Sequence, residues 1–196
     1  MKIGLYGGSF NPIHFGHIGL AQWVLANTDL DELWLMVSPN NPLKDSSILA
    51  DEQVRLQNAK EAIAHLSSNT PYTSHPIPTC AKRIVVSDFE FQLPKPNYTA
   101  NTLRELHKQY PQHEFSLIIG EDNLLIFDKW REREFIKGNF RIFVYPRRGS
   151  IELHKNATTE TLPSSLLKGK TGFVYLNGAP YFDISSTEIR QQAEKK

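Results

Sequence analysis

Short apolar runs of four to six residues alternate along this chain with longer stretches in which apolar side chains recur every three or four positions. The first pattern belongs to strands buried on both faces, the second to helices that bury one side. Residues 3–6 predict a first strand, and the run from Ile18 through Leu25 predicts the helix after it, with a first turn beginning near Phe15. A second buried strand is predicted over 32–37 and a helix over 51–66, where Val54, Ala59, Ala62, Ile63 and Leu66 fall near helical spacing. Residues 83–91 join an apolar run to an alternating one and predict a third strand, with Asp88 and Glu90 on its solvated face. A helix over 99–110 is stopped by Pro111, and a strand over 114–119 ends at Gly120. Helical pieces over 123–127 and 131–137 precede a strand over 140–145. Residues 147–172 are polar and carry no readable chemistry, 173–176 predict the last strand, and a helix opens at Ser186.

Strands and helices in alternation predict an α/β fold with a doubly wound, mostly parallel sheet covered on both faces. At 196 residues and 40% hydrophobic content, one domain over 1–196 is expected, able to bury roughly 70% of its unfolded surface. A net charge of +1 offers no general attraction to nucleic acid or to an anionic membrane, so an anion site must be local. The single cysteine, Cys80, has no partner for an intrachain disulfide and reads as a passive thiol. The chain enters a strand without a charged-then-apolar leader, and no apolar run approaches membrane-spanning length. A cytoplasmic protein is the expectation, and the residues leave a homo-oligomer open.

The chemistry concentrates in Gly7-Gly8-Ser9-Phe10-Asn11-Pro12-Ile13-His14-Phe15-Gly16-His17. A glycine-rich turn between strand and helix lets backbone N–H groups approach an anion lying at the positive end of the helix dipole. His14 and His17 are three apart and project toward one side of a helix beginning near Phe15, where imidazole donors would stabilise charge on a phosphoryl oxygen. Paired glycines also mark ordinary tight turns, and two histidines can be metal ligands, but no Cys or carboxylate nearby in sequence supplies a third zinc ligand. Near the other end, Ser185, Ser186 and Thr187 open a helix whose leading amides suit an anion, with Arg190 one turn in.

These two segments resemble the signatures of the nucleotidyltransferase superfamily: His14-Phe15-Gly16-His17 its HxGH element, and Ile184-Ser185-Ser186-Thr187-Glu188-Ile189-Arg190 its ISSTxxR element. Within that superfamily, three middle stretches are similar to the nicotinate-nucleotide adenylyltransferases. They are Tyr98-Thr99-Ala100-Asn101-Thr102-Leu103 (YTxDTL), Ile118-Ile119-Gly120-Glu121-Asp122 (IIGxD) and Lys129-Trp130. The loop from Ser38 to Lys44 resembles the one that carries a basic residue near the reacting phosphates. Asn101 stands where the family usually has Asp, Glu121 and Arg131 differ from its commoner choices, and no His or Phe precedes Lys44.

The resemblance implies a Rossmann-like nucleotidyltransferase fold and transfer of the adenylyl group of ATP to nicotinate mononucleotide, with Mg²⁺ on the triphosphate and no covalent enzyme intermediate. It implies His14, His17, Lys44 and Arg190 as catalytic. Gly7, Gly8, Ser9, Phe10, Gly16, Gly120, Asp122, Ser185, Ser186 and Thr187 would bind ATP, and Thr99, Asn101, Thr102 and Trp130 the nicotinate nucleotide. No protein metal ligand is expected. Asp122 reads equally as a ribose or metal contact and as a helix cap, Trp130 as a pyridine platform or a core residue, and the basic stretch Pro146-Arg147-Arg148-Gly149 as an adenine or phosphate contact or as surface arginines. Two other functions stand beside this one: a sibling enzyme acting on another phosphate such as nicotinamide mononucleotide or phosphopantetheine, and a nucleotide sensor without catalysis.

Overall fold

In a computed structural model, residues 1–39, 50–66, 83–147, 171–182 and 184–193 are described. The strands are β1 (Lys2–Gly8), β2 (Glu32–Val37), β3 (Arg83–Ser87), β4 (Glu114–Gly120), β5 (Arg141–Tyr145) and β6 (Gly172–Tyr175). The helices are α1 (Phe15–Asn27), α2 (Glu52–Leu66), α3 (Thr99–Gln109), α4 (Glu121–Leu125), α5 (Arg133–Asn139) and α6 (Ser186–Ala193), with short 3-10 turns at Phe89–Gln92 and Phe127–Lys129. Lys44 and Cys80 lie outside the described residues.

All five strand pairings are parallel, in the order β3-β2-β1-β4-β5-β6. Strand order therefore reverses between β1 and β4, and a crevice opens beyond their carboxyl ends, where sheets of this kind hold ligands. The side-chain period of two assigns each strand to two cores. Tyr6, Leu33, Leu35, Val37, Ile118, Phe143 and Tyr145 pack with α1 and α2 on one face. Ile3, Leu5, Met36, Phe115, Leu117, Ile119, Ile142 and Val144 pack with α3 and α5 on the other. Among the described residues no helix is long and apolar enough to cross a membrane.

Several boundaries differ from those the sequence predicts. Gly7 and Gly8 are the last residues of β1, paired with Met36 and Val37, and not the turn itself; the turn runs from Ser9 to His14. Strand β3 stops at Ser87, because Phe89 turns into the core and Glu90 turns inward to accept hydrogen bonds from the hydroxyls of Ser38 (2.8 Å) and Thr102 (2.9 Å). Glu90 is thus half-buried rather than on a solvated face, and burial raises its pKa against the pull of those two donors.

The buried stripe of α2 is also rotated from the expected one. Val54 is 50% exposed, whereas Arg55 is 1% exposed beside Leu56 and Ala59. The guanidinium of Arg55 donates to the carbonyls of Ser9 (2.6 Å), Ser38 (2.8 Å), Pro39 (2.9 Å) and Ala50 (3.0 Å). One cation thereby joins the loops that leave β1 and β2 to the start of α2. Replacing it with an apolar chain of similar length strands those carbonyls, and each buried polar group left unpaired costs about 1–3 kcal/mol. Arg55→Met is expected to lower unfolding free energy by about 3 kcal/mol or more. Thermal melting should register a fall of about 6–12 °C.

Candidate active site

Phe10 occupies the left-handed region (φ 44°) with its ring 2% exposed, a conformation that bulky residues adopt only when packing holds it. His14 is the N-cap of α1, and its backbone N–H donates to His17 Nδ1 at 3.3 Å. That bond fixes the neutral tautomer of His17, because a nitrogen accepting a hydrogen bond carries no proton and Nε2 must bear it. The two imidazoles lie nearly face to face, 3.7 Å between centroids, and the ring of Phe10 meets His17 edge-on at 5.0 Å. Burial first, and the positive charge of Arg147 second, lower the pKa of His14 to about 4 against the opposing effect of Glu188.

The C-terminal segment closes this loop from the other side. Ser185 and Glu188 form a capping box on α6: the Ser185 hydroxyl accepts from the Glu188 backbone N–H (3.2 Å) and donates to its carboxylate (2.9 Å). The Ser186 hydroxyl donates to the Pro12 carbonyl at 2.9 Å. Arg190 donates to the Asn11 carbonyl and to the Thr187 hydroxyl. Close contact of this segment with α1 depends on glycine: a Cβ on Gly19 would lie 2.4 Å from the Phe182 ring, and one on Gly16 3.0 Å from Ile184. The two sequence motifs, more than 170 positions apart, therefore meet at one place.

The cleft between them is lined by Tyr6, His14, His17, Tyr145, Arg147 and Glu188, among others. Gly16 and Ser185 also line it. The Asp122 carboxylate lies 3.5 Å from Arg147 Nε, and Asp122 does not cap α4 through its side chain. Arg147, weighed from the sequence as a nucleotide contact or a surface arginine, lines the cleft, whereas Tyr6 and Tyr145 were not singled out by the sequence; the signal available was their position toward the carboxyl ends of β1 and β5.

The nicotinate candidates gather elsewhere, around the start of α3. Thr102 is buried with its hydroxyl committed to Glu90, and Asn101 is exposed. Thr99 opens α3, whose N-cap residue Tyr98 offers no side-chain bond to the leading amides, and the Arg131 guanidinium lies 4.9 Å from the Tyr98 ring centroid. Trp130 packs on Phe127 at 5.3 Å, with its indole Nε1 buried and unpaired among the described residues. The basic residue Lys44, expected near the phosphates, lies outside the described residues.

Residues 5–192 match the cytidylyltransferase-like family model. Among curated relatives, a protein of Flavobacterium psychrophilum named "Probable nicotinate-nucleotide adenylyltransferase" is 41% identical over 196 residues, covering 100% of this chain and 88% of the relative. One of the same name from Bacteroides fragilis is 41% identical, covering 97% and 81%. In fold, the chain is similar to the Plasmodium falciparum nicotinic acid mononucleotide adenylyltransferase complexed with NaAD. The TM-score is 0.65 at 18% identity, over 97% of this chain and 82% of that one. Two helix starts converging on the strand-order reversal, in a chain aligned from end to end with such relatives, identify it as a member of the cytidylyltransferase-like family and, within it, of the nicotinate-nucleotide adenylyltransferases.

Proposed function

We propose that the chain, acting as a single domain, transfers the adenylyl group of ATP to nicotinate mononucleotide. The 5′-phosphate oxygen of the acceptor attacks the α-phosphorus, the bond from that phosphorus to the β-phosphate oxygen breaks, and pyrophosphate leaves as nicotinate adenine dinucleotide forms. The observation that carries this reading is the meeting of the HxGH turn with the ISSTxxR helix on one cleft at the carboxyl ends of β1 and β4. The acceptor is already an anion, so no general base and no protein nucleophile are required.

Catalysis is then alignment and charge stabilisation. His17, its proton held on Nε2, donates to oxygens of the reacting phosphate, and neutral His14 acts beside it as a hydrogen-bonding group and not as an acid. The amides at the start of α6 and the remaining donors of the Arg190 fork serve the β and γ phosphates, and Lys44 the reacting centre. The hydroxyls of Ser185 and Ser186 are read as structural, since they hold the cap and the Pro12 carbonyl. Among the described residues no three His, Cys, Asp or Glu gather as a metal site. A Mg²⁺ ion on the triphosphate would supply neutralisation of the departing pyrophosphate.

For the acceptor, the start of α3 supports nicotinate over nicotinamide. Its leading amides lack a side-chain cap, and the positive end of the helix favours a carboxylate over a neutral amide. Trp130 is the flat surface for the pyridinium ring.

A coupled assay of pyrophosphate release with ATP, Mg²⁺ and a panel of acceptors tests the reaction. Sustained turnover with nicotinate mononucleotide is expected, and equal kcat/KM for the nicotinamide nucleotide would remove the proposed preference. His17→Ala should lower kcat at least about a hundredfold with the fold intact, by comparison with deletion of one oxyanion donor; near-normal turnover would refute the role. For His14, ring-proton NMR should show titration near pH 4 rather than 6.5. Its pKa is lower in the folded than in the unfolded chain, so the unfolded state binds the extra proton between those values. Urea unfolding should accordingly show stability falling as pH drops through that window, less so in His14→Gln.

A further inference from the structure

Adenylyl transfer brings two substrates together, and the segments proposed to receive them are far apart in sequence. The phosphate loop from Ser9 to His14 lies between β1 and α1, whereas the acceptor side is the start of α3. In-line attack needs the reacting atoms held about 3–3.5 Å apart, and a misplacement of about 1 Å costs on the order of a hundredfold in rate. One segment must therefore be fixed against the other.

A single side chain spans the two. Glu90, in the turn Phe89–Gln92 after β3, accepts from the Ser38 hydroxyl through Oε2 at 2.8 Å and from the Thr102 hydroxyl through Oε1 at 2.9 Å. On the Ser38 side the path continues into the phosphate loop. The Ser38 N–H donates to the Gly8 carbonyl at 2.9 Å, and one nitrogen of Arg55, Nη1, donates to the carbonyls of Ser9 (2.6 Å) and Ser38 (2.8 Å) together. On the other side Thr102 lies one turn into α3, and the Glu90 carbonyl accepts from Asn97 Nδ2 at 2.9 Å, one residue before the N-cap Tyr98. Side chain and backbone of Glu90 thus both hold the opening of this helix.

Stability alone is a poor account of this choice of residue. Among the described residues the carboxylate has two hydroxyls for partners and no lysine or arginine beside it. A carboxylate drawn away from water without a cation is costly, and an apolar side chain would fill the place without that cost. What the carboxylate adds is geometry. It only accepts, through two oxygens in one rigid plane, so both hydroxyls must point at it and their separation is set by the width of one group.

We propose that Glu90 is a positioning residue for the transfer: by joining Ser38 to Thr102 it sets the distance between the phosphate loop and the acceptor's helix start, acting through those two hydroxyls and not on substrate. The reaction it serves rests on the adenylyl-transfer reading; the bridge does not.

Steady-state kinetics of pyrophosphate release by the full chain test the proposal, with ATP and nicotinate mononucleotide varied in turn and a melting temperature taken for each variant. Ser38→Ala and Thr102→Val each sever one arm. Each is expected to lower kcat about tenfold, with KM for ATP within about twofold of wild type. The double variant should lose no more than the larger single loss, because the two changes break one connection. Glu90→Leu should match the double variant; if it fails to fold, the two single variants and their double carry the test. Glu90→Gln should restore kcat to within about threefold of wild type, since its amide accepts from one hydroxyl and donates to the other, and Thr102 then turns its proton to the Tyr98 carbonyl, 3.4 Å away. Losses that multiply in the double variant, a melting temperature that falls while kcat stays, a loss confined to KM, or a Gln variant as slow as the Leu variant each overturn the proposal and leave adenylyl transfer standing. Wild-type chain that releases no pyrophosphate with nicotinate mononucleotide overturns both.

Discussion

A loop that receives a phosphate must keep its own carbonyl oxygens away from it, because each one exposed would repel the ligand. In this chain that constraint is met by donors from opposite ends of the sequence. Arg55 takes the Ser9 carbonyl, Arg190 the Asn11 carbonyl and Ser186 the Pro12 carbonyl. Those three oxygens are thereby engaged within the protein, beside the imidazoles of His14 and His17 that line the cleft. The sheet supplies the location, at the reversal of strand order, and these three bonds determine which polarity the location displays.

The same economy governs the imidazoles. His17 is oriented by a backbone N–H of its own helix start, so its outward nitrogen is a donor before any substrate arrives. His14 is held uncharged by burial and by Arg147. The pair can therefore stabilise developing negative charge without first giving up a proton to solvent, which is the preorganisation that phosphoryl transfer rewards. Glu90 performs a comparable service at the start of α3, joining Ser38 beyond β2, 52 positions away, to Thr102 in α3, 12 positions away.

Much of this was legible in the sequence where periodicity speaks for itself. The strands β1, β2, β4 and β5 and the helices α1, α2 and α3 follow from apolar runs, caps and glycine placement. What escaped notice depends on partners distant along the chain. The early end of β3 is set by the contacts of Glu90 and Phe89, and the rotated face of α2 by four carbonyls that Arg55 reaches in other segments. An arginine in a helix reads locally as solvent-facing, and nothing adjacent to it announces otherwise. The hydroxyls of Ser185 and Ser186 are likewise engaged within the protein, with Glu188 and with the Pro12 carbonyl, which no local pattern announces.

The docking of α6 onto Asn11 and Pro12 has a consequence for the life of the molecule. A ribosome delivers β1 and its loop first and the helix bearing Ser186 and Arg190 far later, so a nascent chain can pair its parallel strands while the phosphate loop still lacks its final tether. That loop would then gain its last two carbonyl partners only after the helix has emerged from the exit tunnel.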